Sequence, residues 1–190
     1  MRVSDDRYTR DRLRYDLAMR LIRHEAGACT IRLWTGLSDD RIRKLYRSYV
    51  EERARTDLPR HRGKSPRQTA FFFRSPDLHF EAAQLASLYL LLGLLGASPA
   101  GVESRYRIGA IESGVLLCRA YETYVDLHEP ARISFEHAWF LLWALARHTE
   151  IALARCERCE GLRLRDVLAG RDAPCAVCGA PSAPGLRRGC

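Results

Sequence analysis

The stretch 156-CERCEGLRLRDVLAGRDAPCAVCG-179 sets two C-x-x-C pairs, Cys156/Cys159 and Cys175/Cys178, on either side of 15 intervening residues. A C-x-x-C turn aims two thiolates at one point, and two such turns complete a tetrahedron about a single ion. The spacer is long enough for a short strand pair or loop to bring the second turn back onto the first. Gly179 follows the second pair, where a tight knuckle turn calls for a residue free to take positive φ. One structural Zn2+ per chain is expected on Cys156, Cys159, Cys175 and Cys178. Four sulfurs leave no open position for a catalytic water, and ion binding and folding of the tail become one event. An iron–sulfur cluster is the competing occupant. A redox dithiol would call for a βαβ context, which the sequence lacks. Cys29 and Cys118 lie in apolar helical surroundings and read as packed thiols.

Working outward, the 190 residues are 47% hydrophobic, enough for a real core. Helix formers dominate, so the class reads as mainly α: a helical domain with an N-terminal helix-turn-helix and a small C-terminal four-cysteine, zinc-ribbon-like module. The net charge of +8 sits entirely in residues 1–67, with 18 Lys+Arg against 10 Asp+Glu; the remainder balances at 13 against 13. A basic first third joined to a neutral remainder fits a polyanion-binding end and a packing end. The early residues are charged and no apolar stretch with a small-residue cleavage site follows them, so a secretory leader is not expected. The most apolar run, Leu85 to Ala97, is too short to span a bilayer and reads as a core helix. A cytoplasmic setting with reduced cysteines and no membrane contact is expected.

Apolar periodicity predicts helices over 8–25, where Leu13, Leu17 and Leu21 recur every four residues, and over 29–34, 78–95, 104–127 and 133–154, with Gly109 or Gly114 as points where 104–127 can break. Ser38 is expected to open a further helix as its N-cap, with Asp39 and Asp40 at its positive end. Residues 96–101 read as a loop. The organisation expected is a basic helical segment at 1–56, a connection at 57–77 anchored by Phe71, Phe72 and Phe73, an apolar helical region at 78–154, the four-cysteine module at 155–181 and a tail at 182–190. The aromatic residues Tyr89, Tyr121, Tyr124, Trp139 and Trp143 exceed what one small core obviously needs, which marks the apolar helices as a candidate subunit interface.

Ile31, Gly36, Leu37, Ile42 and Leu45 match helix-turn-helix spacing, with the glycine in the turn. On the third helix Ile42, Leu45, Tyr46 and Tyr49 should face inward. Asp40, Arg43, Lys44 and Arg47 should then face outward, flanked by Arg41 and Ser48. Cations on that face can meet phosphates, and Arg can read guanine. Ser38, Arg41, Arg43, Lys44 and Arg47 are the candidate contacts to double-stranded DNA. Two features oppose this: Arg32 stands where the motif prefers a small residue, and Asp39 and Asp40 would repel phosphate. The plainer alternative is a structural helical hairpin with a solvated basic face.

Together these landmarks resemble the FlhC family, a subunit of the bacterial flagellar master transcriptional regulator. They are Thr35-Gly-Leu-Ser38 before Arg43-Lys-Leu-Tyr46, Arg62-Gly63 before Pro66, Thr69 and Phe72, then His79, Ala138-Trp139 and the four cysteines. The resemblance runs from about Leu13 to Pro184. The chain departs from the family at Arg67, Gln68, Ala70 and Phe71, where the family is richer in Trp and Asp, and the basic extension after the module is reduced to Arg187 and Arg188.

The resemblance implies a divergent activator of transcription, binding promoter DNA of flagellar and other operons in a hetero-oligomer with an FlhD-like subunit and acting on RNA polymerase. It also maps the family's zinc ligands onto the four cysteines. The alternative is a zinc-stabilised partner-binding adaptor without direct DNA contact. No Gly-rich phosphate loop, H-E-x-x-H or G-x-S-x-G occurs, and the six histidines are scattered, so an enzyme is not expected.

Overall fold

The computed structural model describes residues 2–52, 68–98, 101–168 and 173–180. Residues 53–67, with Arg62, Gly63 and Pro66, and residues 181–190, with Arg187 and Arg188, lie outside the described residues. Among the described residues the secondary structure is mainly helical, with six α-helices and two antiparallel hairpins. The chain divides into two compact units: Met1–Ser65 with Tyr106–Arg119, and Pro66–Arg105 with Ala120–Cys190.

In the first unit, helix α1 (Arg2–Arg23) buries Leu17, Ala18, Leu21 and Ile22 on one face. The expected stripe starts one turn late, because Leu13 is largely exposed. The helix closes when the Ala26 N–H reaches the Leu21 carbonyl at 3.0 Å and Glu25 takes left-handed φ of 58°, a Schellman-type end. Helix α2 (Ala28–Thr35) buries Ile31 and Trp34 and ends at Gly36, whose φ of 68° only glycine takes without strain. The Thr35 hydroxyl donates to the Ile31 carbonyl at 2.7 Å and accepts from the Leu37 N–H at 3.2 Å, which fixes the turn. Helix α3 (Asp39–Glu52) follows, its Ile42 N–H bonded to the Ser38 carbonyl. Helices α1, α2 and α3 pack mutually. Helix α5 (Ile111–Leu127) starts after Gly109, at a φ of 78°, and contributes its residues up to Arg119 to this unit. It approaches α1 closely at Gly114, where a Cβ would stand 2.6 Å from Leu17 Cδ2.

In the second unit a 3-10 turn (Thr69–Phe73) buries Phe72 against Phe140. Helix α4 (Pro76–Leu91) is capped by the Ser75 hydroxyl and has Pro at its first turn, as helix starts favour. It buries Leu85 and Tyr89, and the Tyr89 hydroxyl donates to the Ala138 carbonyl at 2.7 Å. Helix α6 (Phe135–Arg147) is capped by Ser134.

Several expectations need correction here. Residues 96–101, read as a loop, fall largely within a hairpin of β1 (Leu95–Ser98) and β2 (Gly101–Ser104). The predicted helix over 133–154 ends at Arg147, because His148 takes left-handed φ of 53° as C-cap. Residues Ile151–Arg155 are instead strand β3, paired antiparallel with β4 (Leu162–Asp166). A short apolar run at a helix end carries no period of its own, so helix and strand look alike there. Tyr89 and Tyr124 are fully buried, so they belong to the core and not to a docking face. Cys118 is buried as expected, but Cys29 is exposed.

Candidate metal centre and basic helix face

The β3–β4 hairpin turns through the first C-x-x-C, and the second C-x-x-C forms a separate turn at 175–178. The two turns have one hydrogen-bond pattern. In the first, the Cys156 N–H bonds the Gly161 carbonyl at 2.9 Å and the Glu160 N–H bonds the Cys156 carbonyl at 2.8 Å. In the second, Cys175 N–H to Ala180 O and Gly179 N–H to Cys175 O repeat those distances. The fourth residue after the leading cysteine takes left-handed backbone in both, Gly179 at φ 67° and Glu160 at φ 57°. Gly179 was legible as that turn residue; Glu160 was not, because glutamate gives no signal for positive φ.

The four Sγ atoms of Cys156, Cys159, Cys175 and Cys178 lie within 4.8 Å of one another and can hold a metal ion. Cys156 to Cys178 and Cys159 to Cys175 are each 3.7 Å, far too long for disulfides. A tetrahedron of sulfurs about 2.3 Å from a central ion has an edge of about 3.8 Å, so the donor set fits one tetrahedral ion.

Backbone dipoles prepare these thiols. Cys156 is brought down to about 6 by the N–H groups of Cys159 and Arg158, which outweigh its burial. Burial opposes the Cys175 thiolate, yet the Cys178 and Val177 N–H groups hold its pKa below the usual thiol value. The Gly161 N–H favours the Cys159 thiolate, but burial and the neighbouring sulfurs push that thiol up to about 12. A cation removes the conflict by meeting all four as thiolates.

The hairpin is tied to α4. Leu164 is buried, and its carbonyl accepts from His79 Nε2–H at 2.9 Å, which sets the ring tautomer. Desolvation keeps His79 below its ordinary value of 6.5, against the raising effect of that bond, and Arg163 adds to the lowering. Arg163 Nη1 donates to the Ala173 carbonyl at 3.3 Å and links β4 to the approach of the second turn.

The candidate DNA-contact residues lie in the first unit. Ile42 and Tyr49 are buried and Leu45 and Tyr46 half-buried, while Ser38, Arg41, Arg43, Lys44 and Arg47 are all exposed. Two aspartates have local partners: Asp39 binds Arg32 at 3.2 Å, and Asp40 binds Arg43 at 3.1 Å. Among the described residues, Arg41, Lys44 and Arg47 have no carboxylate partner.

Sequence reasoning missed a buried charge cluster in the second unit. Glu81 on α4 is 1% exposed and accepts from the Tyr124 hydroxyl, the Arg132 N–H and the Arg132 guanidinium. Arg132 also reaches Asp77 at 3.4 Å, and the Tyr124 hydroxyl accepts from the Ile133 N–H at 2.9 Å. A lone Glu in an apolar helix was the available signal, since buried carboxylates need partners.

No helix among the described residues is long and apolar enough to cross a membrane. Comparison with models of known protein families and with curated proteins finds no match to this chain.

Proposed function

We propose that the chain is a DNA-binding activator of transcription that works in a hetero-oligomer with an FlhD-like subunit at promoters of flagellar and other operons, acting on RNA polymerase. In this reading one structural Zn2+ per chain sits on Cys156, Cys159, Cys175 and Cys178. The observation that carries DNA contact is the exposed cationic face of α3, where Arg41, Lys44 and Arg47 have no carboxylate partner among the described residues and lie opposite the buried Ile42 and Tyr49. Spaced three residues apart, they cover about a third of the helix circumference, a stripe suited to successive phosphates. Zinc is favoured over an iron–sulfur cluster because sulfurs 3.7 Å apart enclose room for one ion.

A mobility-shift titration on duplex promoter DNA tests the DNA reading. The triple variant Arg41→Ala, Lys44→Ala, Arg47→Ala is expected to weaken binding and flatten the slope of log K against log salt by about 3. Arg43→Ala should cost less, since its guanidinium already has a carboxylate. An unchanged slope in the folded triple variant would refute contact through α3. Elemental analysis should find about one zinc per chain; iron, or visible charge-transfer absorption, would replace zinc in the reading. Co-purification with an FlhD-like subunit tests the assembly. A second reading, the partner-binding adaptor without DNA contact, draws support from the Asp39 and Asp40 pairs, which reduce the positive charge at the start of α3.

A further inference from the structure

The four sulfurs differ in accessibility. Cys156 and Cys175 are 6% and 3% exposed and Cys178 is half-buried, but Cys159 is open to solvent. Residue 161 accounts for part of this. A Cβ at Gly161 would stand 3.3 Å from Cys159 Sγ and 3.5 Å from Val177 Cγ2, so the missing side chain leaves one flank of that sulfur uncovered. Cys159 also lies 3.7 Å from Cys175, in the other turn, and Cys156 lies 3.7 Å from Cys178. Both contacts cross between the turns. A disulfide needs its sulfurs to close to about 2.05 Å, so each crossing pair requires an approach of under about 2 Å.

We propose that Cys159 is an oxidative modification site at which hydroperoxides attack the centre, forming a Cys159–Cys175 disulfide and releasing the cation. The proposal rests on the metal reading of the four cysteines. The Cys159 sulfur attacks one peroxide oxygen; an S–O bond forms, the O–O bond breaks, and the departing hydroxide takes a proton to become water. Cys175 then attacks the Cys159 sulfur; the S–S bond forms, the S–O bond breaks, and the second hydroxide is protonated. Two thiolates, one hydrogen peroxide and two protons thus give one disulfide and two waters. With Cys159 and Cys175 joined, the site would offer a cation only two of its four thiolates and would lose its hold on it. A second peroxide joins Cys156 to Cys178 in the same way, and a dithiol reductant with added metal restores the centre.

The test uses the full chain. Metal content is measured first, hydrogen peroxide is added, release is followed with a chromogenic chelator, and disulfides are mapped by mass spectrometry without reduction. The expected result is metal release together with Cys159–Cys175 linkage, reversed by dithiothreitol and metal. The variant Gly161→Ala retains all four ligands and is expected to hold metal but release it about threefold or more slowly, since its methyl covers Cys159 Sγ. Protein that is purified without any metal overturns the metal reading and this proposal with it. Protein that begins loaded but keeps its metal under peroxide, links Cys156 to Cys159, or releases metal equally fast as Gly161→Ala, overturns the proposal alone.

Discussion

At the residue scale, two αL positions of equal geometry carry residues of unequal tolerance. Gly179 has no Cβ to strain, while Glu160 holds the same backbone with one. Left-handed backbone costs a residue with a side chain about 1–2 kcal/mol. Gly179→Ala is therefore expected to destabilise the metal-loaded tail by about that amount, and Glu160→Gly to stabilise it by up to about 1 kcal/mol once the greater freedom of unfolded glycine is offset. Thermal denaturation of the loaded protein compares the two; equal effects of the same sign would contradict the matched turns.

Glu81 and His79 make a second residue-level case, in acid. Burial disfavours the Glu81 carboxylate, but the Tyr124 and Arg132 hydrogen bonds overcome it and hold the pKa below the ordinary 4.5. His79 is held below 6.5 by desolvation. Both folded values are depressed, so both groups contribute stability that is fully present above their unfolded pKa. That contribution declines as pH falls through the folded value. Melting temperature should begin to fall below about pH 6.5 and fall further below about 4.5. His79→Gln, whose amide N–H can still meet the Leu164 carbonyl, should remove the first decline and leave the second; a profile unchanged by it would show that another group titrates there.

At the element scale, the first unit depends on close approach between α5 and α1. Gly114 admits the Leu17 side chain where a Cβ would lie 2.6 Å from it. Gly114→Val should force Leu17 from its site and destabilise the protein by about 1–3 kcal/mol, the usual range for overpacking. Chemical denaturation measures it, and a neutral result would mean the helices separate without cost. The β3–β4 hairpin is held at two levels: by the knuckle at its turn and, at mid-strand, by Leu164 and the His79 bond to its carbonyl. Removing any bound metal with a chelator should therefore abolish amide protection at Cys156, Glu160, Cys175 and Gly179, the donors of the two knuckle turns, while α4 and α6 stay protected, as hydrogen exchange can read residue by residue. Loss of protection in α4 as well would make the metal a condition for folding of the second unit.

At the scale of the whole molecule, the excess positive charge is concentrated in the first third of the sequence, although both units have buried cores. The excess of +8 lies in residues 1–67, and the fully buried tyrosines, Tyr89 and Tyr124, lie in the second unit. This division gives the polyanion reading its physical basis. Nucleic-acid affinity drawn from the basic segment should fall steeply with salt, whereas metal retention by the four-cysteine tail, if loaded, should be insensitive to it.

The sequence by itself determined what local chemistry can specify. The C-x-x-C spacing brought out the four-sulfur set, Gly36 and Gly179 marked turns that need positive φ, and apolar recurrence marked α1, α4, α5 and α6. Only the tertiary structure decided the rest, because each outcome depends on a partner outside the segment itself, near in sequence for the hairpin strands and far for the buried polar groups. Ile151–Arg155 becomes a strand since Leu162–Asp166 returns to pair with it, and Leu95–Ser98 since Gly101–Ser104 does. Glu81 is buried because Tyr124 and Arg132, 43 and 51 residues away, satisfy its charge. His79 becomes an anchor through a carbonyl 85 residues downstream. Periodicity reports which face of a segment is apolar; what covers that face, and which polar groups meet there, is settled when distant segments pack.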